Sequence, residues 1–178
     1  THRYTLFPYT TLFRSTAKTW VDANGGIFTF SAEAIARMNQ AMQNSGIDCT
    51  FRLAYSGTID YTHSNLYTDI SDLHKGTGNL ATAHTWRNTY GADLVVMLVD
   101  TGSAYGVVGN AYILTSLDGQ PDNAFTVSAI QSVEISHTMT HEVGHNLGCD
   151  HAKTQAEDPG PGPLFSYAAG WYFTGSNS

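Results

Sequence analysis

Residues His141 to His151 read H-E-V-G-H-N-L-G-C-D-H, and the reading of this stretch decides the fold. His141 and His145 are four positions apart, so on a helix they project from one face about one turn apart and can share one metal ion. Glu142 follows the first histidine directly. It points off the ligand axis yet stays near enough to take a proton from a water, which makes it a base and not a ligand. Gly148, three residues past His145, has no Cβ and can adopt the left-handed conformation that ends a helix and turns the chain back. That turn delivers His151 as a third ligand. Three neutral imidazoles leave a fourth position open for water, the arrangement of a catalytic zinc, and hydrolysis is the natural chemistry. The competing reading is a chance match on a helix with surface histidines. Five fixed positions would coincide by accident on the order of once in ten thousand such sequences, which favours a real Zn2+ site.

The other histidines fit the site less well. His137 lies one further turn back on the same face, too far to join a metal held by His141 and His145, and packing or a backbone hydrogen bond is its expected use. His63, His74 and His84 have no ligand spacing and read as solvated or capping residues. Cys49 and Cys149 allow one disulfide without demanding it, two free thiols being the equal alternative. Cys149 lies between Gly148 and His151, but the three histidines already complete a ligand set.

Outward from the motif, the chain reads as one domain of alternating helices and strands. Its 178 residues, 42% hydrophobic and 12% aromatic, suffice for a packed core. No apolar run approaches a membrane-spanning length. The net charge of −7, or −9 without Arg3 and Arg14, argues against nucleic acid or an anionic membrane as partner. Ser31 is a candidate cap for a helix through Ile35, Met38, Ala41 and Met42 that ends at Gly46. Cys49 to Tyr55 alternates as a half-buried strand. Leu66 to Thr77 is ambiguous, a short helix through Ile70 and Leu73 being one reading of it, and Leu80 to Tyr90 reads as a second helix. Leu94 to Val99 is a continuous apolar run, as in a strand buried on both faces of a parallel sheet. Ala124 to Ile130 gives the next strand, Gln131 to Leu147 one helix carrying the zinc motif, and the D-P-G-P-G-P stretch after His151 an irregular loop.

The extended motif resembles that of the metzincin zinc endopeptidases. Over Lys18 to Phe173 the chain is most similar to the bacterial reprolysin-like and peptidyl-aspartate metalloendopeptidases, through A-K-T-W-V-D, M-N-Q-A-M-Q-N-S-G-I-D-C-T-F-R-L, G-A-D-L-V-V-M-L-V and H-T-M-T-H-E-V-G-H-N-L-G. One position departs from the reprolysin pattern: Ala152 follows the third histidine where aspartate is usual, with Asp150 on its other side. The resemblance implies an α/β (α+β) catalytic domain, a mixed twisted sheet packed on helices that include the zinc helix. It also implies Gly102 to Leu114, containing V-V-G-N-A-Y-I-L, as the edge strand at the upper rim of the cleft, able to pair with an extended peptide. A glycine-bearing hairpin with no ligand is the plainer alternative. The implied partner is a peptide or protein substrate, the implied location secreted or periplasmic, and the chain is expected to act as a monomer.

Both ends carry expectations of their own. Thr5 to Ser15, T-L-F-P-Y-T-T-L-F-R-S, resembles a translated sequencing-library adapter and is expected to be foreign, so that the first strand of the sheet is lost. Pro8 and four threonines among the first fifteen residues argue against a secretory signal there. Residues 16–178 are then a partial catalytic domain, an upper subdomain to about residue 148 and a stub of the lower one after it. Metzincins carry a methionine turn beneath the metal, downstream of the third histidine. The last methionine here is Met139, and S-Y-A-A-G-W-Y-F resembles what precedes that turn, so the native gene is expected to continue past Ser178. A non-catalytic zinc-binding or protein-binding domain that kept the fold is the principal alternative, although it would have no need of Glu142. A zinc hydrolase acting on another substrate class is the second.

Overall fold

The computed structural model describes residues 6–14, 17, 21–23, 25–101 and 106–170. Its centre is a five-stranded sheet of β1 (Leu6–Arg14), β2 (Thr50–Ile59), β3 (Leu94–Val99), β4 (Gly109–Ala111) and β5 (Phe125–Ala129). The order is β2-β1-β3-β5-β4. The first four strands in that order run parallel, and β4 pairs antiparallel with β5, so the sheet is mixed. A strand position expected to be empty is filled: Leu6–Arg14 pairs with β2 on one side and β3 on the other. Aromatic and β-branched residues suit a pleated surface, and this segment is rich in both.

Every residue of β3 is buried, as its continuous apolar run requires. Alternation then divides the core into two layers. Leu94, Val96 and Leu98 pack with Phe30, Ile35 and Met38 of α1 (Gly26–Asn44) and with Met139 and Val143 of α5 (Thr138–Asn146). Val95, Met97 and Val99 pack on the other face with Ile70 and Leu73 of α2 (Leu66–Lys75) and Ala83 of α3 (Ala81–Tyr90). Helices therefore cover both faces, and the zinc-motif helix lies on the α1 side.

Three boundaries differ from the sequence reading. Helix α1 begins at Gly26, after Gly25 in the left-handed region, and Ser31 is fully buried within it instead of capping it. The apolar stripe runs one turn further back, through Ile27 and Phe30, than the stripe read from Ile35 onward. Strand β2 continues through Gly57 to Ile59, because a Cβ on Gly57 would meet the Trp86 ring at 3.0 Å and glycine is what lets that ring lie on the strand. The single helix expected over Gln131 to Leu147 is broken into α4 (Ile130–Ile135) and α5. Ser136 is extended at the break, and its hydroxyl lies 2.5 Å from the Ser132 carbonyl and 3.3 Å from the Thr138 amide nitrogen, offering the backbone a local partner. The cysteines are both free.

No helix among the described residues is long and apolar enough to cross a membrane. Past α5 the chain forms β6 (Asp150–Ala152), paired with the short β7 (Ala169–Gly170), joined by an irregular Gly- and Pro-bearing loop. Trp171 to Phe173 of the S-Y-A-A-G-W-Y-F segment and part of the Gly102 to Leu114 rim lie outside the described residues.

Candidate active site

Helix α5 carries His141 and His145 one turn apart, and its end is set by Gly148, whose φ of +90° is the left-handed turn that the spacing requires. The amides of Gly148 and Cys149 donate to the carbonyls of His145 and Gly144, closing that turn. The reversed chain enters β6, which presents His151. The three rings converge: Nε2 of His141 lies 3.1 Å from Nε2 of His145 and 3.2 Å from Nε2 of His151.

Hydrogen bonds behind the rings aim them. Nδ1 of His145 donates to the Cys149 carbonyl at 2.9 Å, and Nδ1 of His151 donates to the Asp158 carbonyl at 3.0 Å. A carbonyl can only accept, so both protons sit on Nδ1 and the Nε2 lone pairs face the common centre. Zinc bound tetrahedrally by two imidazoles at about 2.0–2.1 Å would hold their nitrogens about 3.3 Å apart, close to the separations found. The donor set and its spacing thus fit zinc. Among the described residues, His141, His145 and His151 are the one group of three or more potential ligands gathered in this way.

Electrostatics favour neutral, metal-ready imidazoles at His141 and His145. Burial, together with the neighbouring His145 and His151 rings, pushes His141 down to about 4, and burial likewise lowers His145. Glu142 is buried at 6% exposure, and removal from water pushes its carboxyl up to about 8. It lines, with His145 and His151, a cleft of about 480 Å³ whose other wall includes Gly109, Asn110, Ala111 and Ile113. The edge position of β4 was expected from the Gly-bearing rim segment.

The remaining histidines stay apart from this centre. His137 immediately precedes α5, is exposed, and contributes its carbonyl to the His141 amide at 2.8 Å. His63 bonds buried Asp69 at 2.5 Å, and His84 bonds the Leu73 carbonyl at 2.7 Å. The His74 ring packs tilted against Tyr112 and edge-on to Phe125. These three are partly buried structural residues more than solvated ones. Sequence reasoning missed Asn146, whose side-chain nitrogen lies 2.8 Å from the Tyr112 carbonyl and 3.2 Å from that of Asn123, tying the metal helix to the rim. Its place directly after His145, inside the motif stretch, was the available signal.

Comparison with known proteins agrees with this geometry. The model of metallo-peptidase family M12, Reprolysin_5, matches residues 10–171, and the chain belongs to that family, which is zinc-dependent. The peptidyl-Asp metalloendopeptidase of Stenotrophomonas maltophilia (strain R551-3) is 28% identical over 142 residues, 79% of this chain and 32% of that protein. That of Xanthomonas campestris pv. campestris is 28% identical over 147 residues, 80% of this chain and 33% of that protein. The chain therefore spans about a third of the length of these curated relatives. A solved chain described as "Structure of a chaperone-substrate complex" superposes with a TM-score of 0.68 over 86% of this chain and 25% of that one. At 19% identity it speaks for the fold alone.

Proposed function

We propose that this chain carries the catalytic centre of a zinc endopeptidase, with His141, His145 and His151 as the metal ligands and Glu142 as the general base. The observation that carries the reading is the convergence of three Nε2 atoms beside a buried carboxylate that opens on one cleft. When bound, zinc would supply Lewis-acid activation of a water and of the scissile carbonyl. Glu142 would accept the proton of the attacking water on a carboxylate oxygen and return it to the nitrogen of the leaving amine. Burial that lifts its proton affinity towards neutrality suits both halves of that transfer.

The edge strand β4 would hold the substrate. Among the described residues it pairs with β5 on one side only, so its outer backbone groups would be available to an extended peptide across the cleft from the histidines. Such pairing reads the backbone and not the side chains. Residues up to about 148 would form the upper subdomain and the segment after them the beginning of a lower one. A secreted or periplasmic site of action belongs to the same proposal.

The test is a digest of a broad peptide library by the intact protein, zinc-loaded, chelated and reloaded. Internal peptide-bond cleavage that disappears on chelation and returns with zinc supports the proposal. Stoichiometric zinc with no peptide hydrolysed would favour a non-catalytic zinc-binding domain instead.

A further inference from the structure

Gly109 on β4 stands directly against the side chain of Glu142 on α5. Its backbone does not require glycine, because its φ lies outside the left-handed region, unlike that of Gly148. A Cβ at this position would nevertheless overlap the Glu142 carboxyl group, with Oε1 as the nearest atom and Cδ and Cγ at 2.5 and 2.6 Å. Carbon atoms in comfortable contact are about 3.5–4.0 Å apart.

Neither element is free to retreat. Gly109 is paired with Ser128, and the neighbouring Val108 carbonyl accepts from the Ala129 amide at 2.8 Å. Helix α5 is anchored by buried Met139 and Val143, by Asn146 bonded to the Tyr112 carbonyl, and by the His145 carbonyl, which accepts from the Leu114 amide at 2.9 Å. The soft coordinate is the Glu142 side chain itself, with its three rotatable bonds.

We propose that Gly109 is a positioning residue for Glu142, the missing side chain being the seat in which the carboxylate lies between the metal helix and the edge strand. This rests on the reading of Glu142 as the base. Any side chain at position 109 displaces that carboxylate while leaving the three imidazoles in place.

The experiment introduces Gly109→Ala into the intact protein, alone and together with Glu142→Ala. Two quantities are read: the thermal midpoint of the zinc-free protein in both backgrounds, and kcat and KM of the zinc-loaded single variant on a cleaved peptide. The expected result is a kcat at least about tenfold lower, a KM within about twofold of the parent and unchanged zinc content. The midpoint should fall in the Glu142 background and move by no more than about 1 °C in the Glu142→Ala background. An equal fall in both backgrounds, or an undiminished kcat, would overturn the proposal. Should Gly109→Ala alone fail to fold, a folded double variant supports the contact, and a double variant that also fails overturns it. Turnover that survives Glu142→Gln would sink the base assignment instead, and the midpoint coupling would still report on the contact.

Discussion

His141 and His151 bring their Nε2 atoms within 3.2 Å of each other from different elements, one on α5 and the other on β6, with their rings inclined by only 14°. Between them the chain reverses at Gly148. The metal-site geometry therefore depends on a backbone conformation as much as on three side chains.

Gly148→Ala should cost about 1–2 kcal/mol, the penalty for a Cβ in the left-handed region. The added Cβ would also meet Leu164 at 3.4 Å. Because the turn delivers His151, zinc affinity should fall together with the unfolding midpoint. Both are read by titrating zinc into the variant and then melting it. Parental affinity in a destabilised variant would show that His151 is held by β6 and not by the turn.

His145→Ala should lower zinc affinity by at least about a hundredfold, since losing a ligand costs no less than losing a residue that orients one. His137→Ala, one turn before the site and exposed, should bind zinc as the parent does. Isothermal titration of the two variants separates them, and equal losses in both would redraw the ligand set.

Glu142 gives the zinc-free protein a pH signature. Its carboxyl is pushed from 4.5 up to about 8 by burial, so the folded state holds a proton that the unfolded chain gives up more easily. The stability this confers is fully present below 4.5 and is lost as pH rises through about 8. Glu142→Gln has no such loss. The difference in unfolding midpoint between variant and parent should grow in the variant's favour across that window, and a difference independent of pH would contradict the burial argument.

Much of the site was legible in the sequence because its signals are local. The four-residue offset of His141 and His145 and the glycine three residues on specify a helix, a turn and a third converging imidazole within eleven positions, and the structure has that helix, that turn and that convergence. The all-apolar β3 was equally plain. What escaped the reading depends on partners distant in sequence. Gly57 lies past the strand read to Tyr55 until Trp86 is placed upon it, and Gly109 reads only as a glycine of the edge strand or of a hairpin until Glu142 is laid against it. The break at Ser136 is an intermediate case, a local hydroxyl bond within a stretch whose spacing otherwise favours one continuous helix.

The segment expected to be foreign now has a structural consequence. Deleting residues 1–15 removes β1 from between β2 and β3, separating β2 from the rest of the sheet. The shortened chain should lose its cooperative unfolding transition in circular dichroism, because the strand pairing on both sides goes at once. An unchanged midpoint would mean that these residues contribute nothing to the folded domain.

The most direct test of the central claim is the turnover of Glu142→Gln, measured on a peptide that the zinc-loaded parent cleaves, with zinc content determined in the same samples. The ligands are untouched and only the base is replaced. The account predicts equal zinc in variant and parent and a kcat at least about a hundredfold lower in the variant. Equal zinc with equal turnover would contradict it.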